Sequence, residues 1–288
     1  MSHRTSFLIV LAVVTALTVS VAGCGVGESD GPTASPTSSP TSSPTAEPTS
    51  GETITVLAFF LHGEKLASAE RRVPATQAVA RAAMDALCGG VNDFEQAAGL
   101  TSSVPVGTKV RGIALDEGTA TVDLSREFAS GGGTLSMTSR VAQVVYTLTQ
   151  FRTITAVEFE LEGKPLDVLS GEGLLLETPQ RRSHWESFEP PIFVERPGIG
   201  AYLSSPFEIE GRATVFEGTV QIELLDEKNE ILVRTYATAT RGAPERGTFR
   251  KRLTFTTSAS EGLLVAYEQS LKDGSRLDEV RIPVRFSE

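Results

Sequence analysis

The N-terminal segment restricts which part of the chain can form a stable fold. Residues 7–22 are predominantly apolar, and the one formal charge before them is Arg4. A basic start, a short apolar stretch and small residues before a cleavage point are typical of a secretory signal. The apolar stretch is too short to favour a permanent membrane-spanning helix. We therefore predict that residues 1–23 are a signal peptide and that the remainder folds outside the cytoplasm.

A cysteine stands at the expected cleavage point. The sequence Val21-Ala22-Gly23-Cys24 resembles the lipobox of bacterial lipoproteins, in which the cysteine is lipidated and becomes the mature N-terminus. The resemblance implies a palmitate-type anchor on Cys24 and a position on the extracytoplasmic face of the cell membrane. The alternative is a buried or paired cysteine within an ordinary signal peptide. A lipidated Cys24 would leave Cys88 without a disulfide partner, and we expect Cys88 to be a small buried residue on a helix.

The residues that follow have the composition of a tether. Ser and Thr fill most of the positions between five prolines that recur every four residues: Pro32, Pro36, Pro40, Pro44 and Pro48. A segment with so few apolar side chains cannot offset the entropy of ordering its backbone. We therefore predict that residues 24–52 are the lipidated cysteine and a disordered tether that extends the folded part away from the membrane.

The net charge of the chain argues against nucleic acid and anionic lipid as binding partners. The 288 residues carry a formal net charge of −10 at pH 7. An acidic protein is a poor candidate for nonspecific nucleic-acid binding, so no nucleic-acid partner is expected. Anionic lipid would repel it as well, so the lipid anchor rather than a basic patch would hold it at the membrane.

The pattern of residues 53–180 predicts a mixed α/β domain. The predicted helices cover residues 75–88 and 135–150, and the predicted strands cover residues 53–61, 66–73, 109–115, 119–124 and 154–161. Apolar residues such as Val141, Val145 and Leu148 repeat at helical spacing in the second helix. Strands and helices in this number predict an α+β fold with two helices on one side of a sheet.

Five motifs in this domain follow one another in a fixed order. They are Leu87-Cys-Gly-Gly90, Ser103-Val-Pro-Val-Gly-Thr108, Glu117-Gly-Thr-Ala-Thr-Val-Asp-Leu-Ser125, Tyr146-Thr-Leu-Thr-Gln-Phe151 and Val157-Glu-Phe-Glu-Leu-Glu-Gly-Lys164. Together they resemble the GerMN domain, and the resemblance covers about residues 53–180. It implies a role in sporulation or germination for some members, although similar domain pairs also occur in bacteria that make no spores. One departure is Gly89-Gly90-Val91, where members often have a Leu-Gly-Pro-like sequence.

A short polar segment separates this domain from the rest of the chain. Residues 181–189 precede a pair of prolines and are predicted to be an inter-domain linker. The segment contains Trp185, the single tryptophan of the chain. We expect Trp185 to pack at the junction of the two domains, and a ligand-stacking role is the alternative.

The C-terminal residues have an all-β pattern. Apolar residues alternate with polar ones along residues 190–288, as where Val220, Ile222 and Leu224 alternate with Gln221 and Glu223. Alternation with regular turns predicts an immunoglobulin-like sandwich. Motifs in this region resemble the Gmad2 domain, which often accompanies GerMN: Ser204-Ser-Pro206, Ile209-Glu-Gly-Arg-Ala-Thr-Val-Phe-Glu217 and Tyr267-Glu-Gln-Ser-Leu-Lys-Asp-Gly-Ser275. The resemblance covers about residues 190–288.

The sequence offers little that could carry catalysis. After residue 23 the histidines are His62 and His184, and no HExxH or CxxC spacing occurs, so no metal site and no cofactor are expected. No Ser-His-Asp set can be defended either. Asp123 and Glu127 could form the carboxylate pair of a hydrolase, but we expect both to be solvated or to cap local structure.

Two arginine pairs and a run of glycines are the remaining candidate binding residues. Arg71-Arg72 and Arg181-Arg182 could bind anions, and we expect them instead to be solvated. Residues 131–133 are three glycines without the Lys-Ser/Thr of a phosphate-binding loop, and we interpret them as a hinge.

These observations leave two functions open. The first is a non-enzymatic lipoprotein, anchored through Cys24, that binds or scaffolds another envelope protein or a cell-wall glycan. The second is an envelope hydrolase for glycan or peptide that uses unidentified carboxylates. We predict the first, with no catalytic residue assigned.

Overall fold

The computed structural model describes residues 51–169 and 173–287. The predicted signal peptide, the predicted lipidation site Cys24 and nearly all of the predicted tether lie outside the described residues. No helix in the described ranges combines the length and apolar character needed to cross a membrane.

Two groups of elements follow the two predicted domains. The helices are α1 (Val79–Cys88), α2 (Asp93–Ala97) and α3 (Thr134–Leu148). The strands of the first group are β1 (Thr53–His62), β2 (Lys65–Pro74), β3 (Leu100–Thr101), β4 (Val110–Asp116), β5 (Thr119–Leu124), β6 (Ala156–Leu161), β7 (Lys164–Pro165), β8 (Val168–Leu169) and β9 (Leu174–Leu175). The strands of the second group are β10 (Ile192–Arg196), β11 (Tyr202–Leu203), β12 (Phe207–Ala213), β13 (Thr219–Asp226), β14 (Ile231–Thr238), β15 (Gly247–Leu253), β16 (Glu261–Gln269) and β17 (Arg276–Phe286).

Strand β1 is the centre of the first domain. It pairs with β2 along its whole length in a hairpin whose turn places Gly63 at φ +62°, a conformation that glycine adopts without strain. Its residues 56–61 are all buried, which explains why the strand is a continuous apolar run rather than an alternating one. Helices α1 and α3 both pack against it.

Side chains of α3 and of the residues just after it satisfy the free edge of β1. The amide side chain of Gln150 bonds to both the N–H and the C=O of Leu57, at 2.9 and 2.7 Å. The hydroxyl of Thr147 accepts from the N–H of Phe59, and the amide of Gln143 donates to its C=O. Polar residues at helical spacing thus replace a neighbouring strand, because buried backbone groups require partners.

A second sheet of the first domain has the order β4-β5-β6-β7, and β8 and β9 pair in a separate two-stranded sheet. Strands β4 and β5 form a hairpin with Glu117 and Gly118 both at positive φ, as the Glu-Gly turn sequence predicts. Strand β6 lies parallel to β5, and α3 belongs to the connection between them. The single predicted sheet is therefore two sheets, with the helices in contact with strands of both.

The C-terminal strands form two sheets. One has the order β10-β12-β15 and the other has the order β11-β17-β16-β13-β14. The alternation of β13 buries Val220, Ile222 and Leu224, as predicted. Glu223 on the opposite face is also buried, because Arg234, Arg276 and the hydroxyl of Tyr267 cover its carboxylate. The sandwich and the α+β class of the chain match the sequence-based prediction.

The largest difference in an element boundary is at the start of α1. Helix α1 begins at Val79 instead of residue 75, since the hydroxyl of Thr76 accepts from the N–H of Ala78 and favours a turn there. The short helix α2 was not predicted. Asn92 and Glu95 form a reciprocal capping box at its start, which is the signal that could have revealed it.

Candidate binding site at the domain junction

The outer edge of β2 joins the two domains. Ile199 donates its N–H to the C=O of Ser68 at 2.8 Å, and its own C=O accepts from the N–H of Glu70 at 2.9 Å. The hydroxyl of Ser68 also donates to the C=O of Val194. Gly198 permits this approach, because a β-carbon at its position would lie 2.9 Å from the backbone nitrogen of Glu70. The second domain therefore pairs with an edge that would otherwise be exposed.

Aromatic residues from both domains meet behind this edge. The ring of Phe193 in β10 lies 6.0 Å from the ring of Phe59 and 5.8 Å from that of Tyr146. The Phe59 and Tyr146 centroids are 5.7 Å apart. One hydrophobic cluster consequently runs through residues of both domains.

A buried carboxylate lies beside this cluster. The side chain of Glu189 is fully buried, accepts a hydrogen bond from the hydroxyl of Tyr146, and pairs with Arg212 at 2.6 Å and Arg246 at 3.2 Å. Burial raises the pKa of Glu189, and the Tyr146 hydroxyl and the two guanidinium groups oppose that rise. Burial and the charge of Glu189 together raise the pKa of Tyr146. A buried charge with partners on several elements fixes the junction geometrically.

The predicted linker is part of this packing. Arg182 places its guanidinium carbon 4.7 Å from the centroid of Tyr146 and bonds to Glu195 at 2.7 Å. The expectation that Arg182 is solvated was wrong, because the residue connects α3 to β10. Trp185 is only 7% exposed, packs near Phe188 and belongs to the hydrophobic cluster that contains residues of both domains, which agrees with the expected packing at the junction.

An apolar cleft opens on one half of this junction. It has a volume of about 600 Å³ and is walled by β2, β10 and β17. Apolar lining residues include Leu66, Val194, Ile199 and Val280, and charged residues stand among them, including Lys65, Asp278 and Arg281. We call this the junction cleft. An apolar pocket with a few polar groups, placed between domains, is the usual form of a binding site.

A second cleft of about 780 Å³ follows the other half of β2. On its wall, the guanidinium carbons of Arg72 and Arg285 lie 3.9 and 5.4 Å from the centroid of Tyr202. Arg285 also lies 3.9 Å from the centroid of Phe94. We call Arg72, Tyr202 and Arg285 the arginine–tyrosine stack. It also spans the junction, because Arg72 belongs to β2 whereas Tyr202 and Arg285 belong to the second domain.

Arg71 behaves differently from its neighbour. Its guanidinium donates to both carboxylate oxygens of Glu95 and to the backbone carbonyls of Ala86 and Gly90. It therefore neutralises the C-terminal end of α1, and the prediction that Arg71 is solvated was wrong.

The remaining candidates have local roles. Asp123 accepts from Arg111 at 3.1 Å and from the N–H of Gly163 at 2.9 Å. A hydrogen bond from Ser125 lowers the pKa of Glu127, whereas a glycosidase acid requires a raised one. Within the described ranges, no group of three or more His, Cys, Asp or Glu side chains is arranged to hold a metal ion.

The last two candidates from the sequence are Cys88 and the three glycines at residues 131–133. Cys88 is a free, partly buried thiol at the end of α1, and burial raises its pKa to about 12. Next to the predicted hinge, the buried guanidinium of Arg140 donates to the carbonyls of Phe128, Ser130 and Gly131. The loop before α3, which includes the predicted hinge, is therefore hydrogen-bonded to that helix through Arg140.

Two family models match the chain. Residues 58–167 match Germane, described as sporulation and spore germination. Residues 191–275 match Gmad2, the immunoglobulin-like domain of bacterial spore germination. Comparison with curated proteins gave no significant match.

Solved structures give weaker similarity. The first GerMN domain of the sporulation protein GerM from Bacillus subtilis is 21% identical, with a TM-score of 0.39, and the match covers 45% of this chain and 98% of that one. The tandem GerMN domains of the same protein are 17% identical, with a TM-score of 0.40, and the match covers 72% of this chain and 63% of that one. Because both TM-scores are below 0.5, the assignment rests on the two family models. The chain therefore resembles the Germane domain over residues 58–167 and the Gmad2 immunoglobulin-like domain over residues 191–275.

Proposed function

We propose that this protein is a lipid-anchored, non-enzymatic binding protein on the extracytoplasmic face of the cell membrane. Its partner would be another envelope protein, held in the junction cleft. The observation that carries the proposal is the cleft itself, because both domains contribute its walls and their relative position is fixed by buried contacts. The two family matches support a place in sporulation or germination.

The chemistry of the cleft favours a polypeptide over a glycan. Partly exposed aliphatic side chains, such as those of Ala67, Leu263 and Val280, line it. A sugar ring is usually held by exposed aromatic faces and many hydrogen-bond donors, whereas Phe193, the phenylalanine in the lining, is only 1% exposed. Apolar side chains of an extended peptide would gain most from burial there.

The anchor is supported by the sequence around Cys24. A single acyl chain holds a protein only marginally, whereas the two or more chains of a bacterial lipoprotein hold it stably. The Cys24→Ser variant should therefore leave the membrane fraction and lose lipid label while its folded part keeps its thermal unfolding transition. Membrane retention of the variant, together with an unlabelled wild-type protein, would contradict the anchor.

Binding is tested by filling the cleft. Ala67 lines it, and Ala67→Trp would occupy its volume; Ala114→Trp, at an exposed position of β4, is the matched control. We expect envelope proteins that copurify with the full-length protein from solubilised membranes to be lost with Ala67→Trp and kept with Ala114→Trp. Equal copurification by both variants, with both folded, would contradict binding at the cleft.

A further inference from the structure

We propose that the arginine–tyrosine stack is a binding site for a phosphate group carried by a flexible ligand, such as a phosphodiester polymer of the envelope. The site lies on the opposite half of β2 from the junction cleft. It adds a second, chemically different ligand to the proposed function. It rests on that function only for the location of the protein outside the cytoplasm, where such a ligand would be found.

Both arginines of the stack keep free donors. A guanidinium group carries five N–H donors. Among the described residues, no carboxylate lies within ion-pair distance of Arg72, and its guanidinium contacts the face of Tyr202. Arg285 has one long hydrogen bond to Gly200, at 3.5 Å, and one long ion pair with Glu261, at 3.9 Å. Most of the donors of both groups therefore remain available.

The two guanidinium groups are also preorganised. Stacking on an aromatic ring fixes the plane of a guanidinium group and leaves its N–H edge free. Arg72 stacks on Tyr202, and Arg285 stacks on Phe94 and lies over Tyr202 as well. The entropy of ordering two long side chains is thus already lost before a ligand arrives.

The shape and charge of the stack select the ligand. A carboxylate has two oxygens and suits one guanidinium fork, whereas a phosphate group has more oxygens and can bond to two forks at once. Two positive charges over one ring also complement a phosphate better than a neutral sugar. The number of free donors and the two positive charges therefore favour phosphate.

The acidic residues of this cleft are already engaged. Asp85 pairs with Arg81 at 3.0 Å. Glu70 is partly buried, and its carboxylate interacts with the Arg196 guanidinium, with the N–H of Gly198 and, more weakly, with Arg72. Burial raises the pKa of Glu70, which reduces the repulsion that it would exert on an anion.

A concave site favours a flexible chain or small group over a bilayer surface. The two arginines stand in a cleft of about 780 Å³. A membrane surface is bound through a broad basic patch instead. Lipid headgroups are accordingly the alternative ligand, and the experiment must distinguish them from a phosphate group on a flexible chain.

The test is calorimetric titration of the full-length protein in detergent at low ionic strength. The probes are inorganic phosphate, glycerol 3-phosphate, poly(glycerol phosphate) and acetate, with phosphatidylglycerol vesicles in a separate sedimentation assay. The variants are Arg72→Gln with Arg285→Gln and, as control, Arg241→Gln with Arg250→Gln, two exposed arginines of the second domain that line neither cleft. Thermal unfolding verifies each fold, and the single variant Arg72→Gln substitutes for a double variant that does not fold.

We expect phosphate and its esters to bind the wild type and the control, and acetate to bind more weakly. Loss of each guanidinium should weaken phosphate binding roughly tenfold or more, because hydrogen bonds to charged groups are the strong ones. Absence of phosphate binding to the wild type, or equal binding by the folded variant, would overturn the proposal. Vesicle binding that depends on both arginines but is not competed by phosphate would overturn it in favour of a membrane surface. Loss of phosphate binding with intact copurification at the junction cleft would leave the protein-binding function standing.

Discussion

The hydroxyl of Tyr146 donates a hydrogen bond to the buried carboxylate of Glu189, and this bond ties α3 to the segment that leads into β10. The pKa of Tyr146 is raised by burial and by the charge of Glu189. The folded protein therefore keeps the phenol proton at pH values where an unfolded chain, with a tyrosine pKa of about 10, loses it. Since the unfolded state then binds fewer protons, stability falls as the pH rises above that value.

We predict that Tyr146→Phe reduces the loss of folding stability at alkaline pH. At neutral pH the variant should be less stable by about 1–3 kcal/mol, because Glu189 loses a buried donor. Between neutral pH and pH values above the ordinary tyrosine pKa, the wild type should lose more stability than the variant does. Urea unfolding midpoints measured along this range provide the test. Parallel pH profiles for the two proteins would contradict the role assigned to Tyr146.

The ion pair between Arg182 and Glu195 should couple the linker to the second domain. Both side chains are about one-fifth exposed, so their interaction is less screened than that of a surface pair. A double-mutant cycle with Arg182→Gln and Glu195→Gln should give a coupling energy of about 1 kcal/mol or more. The exposed helical pair Arg81 and Asp85 is the control, with an expected coupling of about 0.3–0.5 kcal/mol. Equal couplings for the two pairs would argue against a structural linker.

Gly198 should be intolerant of a side chain. A β-carbon there would lie 2.9 Å from the Glu70 nitrogen and 3.1 Å from the Ser68 carbonyl, so the bridge between the domains would have to shift. We expect Gly198→Ala to destabilise the protein by about 1–3 kcal/mol. Gly112→Ala is the control, because a β-carbon at that position would meet no atom within 4 Å, and it should stay within about 0.5 kcal/mol of the wild type. Chemical denaturation of the three proteins decides between these outcomes.

Thr147 should stabilise the fold through its hydroxyl. The residue is fully buried and accepts from the N–H of Phe59 at 3.1 Å. Thr147→Val keeps the shape but leaves that N–H without a partner, at a cost of about 1–3 kcal/mol. Thr121→Val, at a half-exposed position of β5, should cost much less. Hydrogen exchange at the Phe59 amide would also accelerate in the Thr147 variant, and unchanged protection there would contradict this role.

The sequence was informative where periodicity is simple. Strand β5 was predicted at the bounds it has, and the β13 alternation correctly identified Val220, Ile222 and Leu224 as core residues. Side chains that bridge distant segments could not be predicted in the same way, because periodicity describes one element at a time. Arg182 shows this limit, since its polarity suggested solvent whereas its partners are Thr149, just after α3, and Glu195 in β10.

The candidate site was even less visible in the sequence. Tyr202 and Arg285 are far apart along the chain, and Arg72 belongs to the other domain, so only the fold brings them together. The sequence did contain a signal for the contacts between α3 and β1. Gln143, Thr147 and Gln150 follow helical spacing and therefore lie on one side of the helix. A polar stripe of that kind in a buried helix indicates backbone groups that need partners.

The central claim, that an envelope protein occupies the junction cleft, is tested most directly by photo-crosslinking in intact cells. A photoreactive amino acid is placed at Ala67, within the cleft, or at Ala114, an exposed position of β4. We expect a defined protein adduct from position 67 that is lost when Cys24→Ser releases the chain from the membrane, and no such adduct from position 114. Adducts of equal yield from both positions, or none from position 67 in cells that retain the partner, would contradict it.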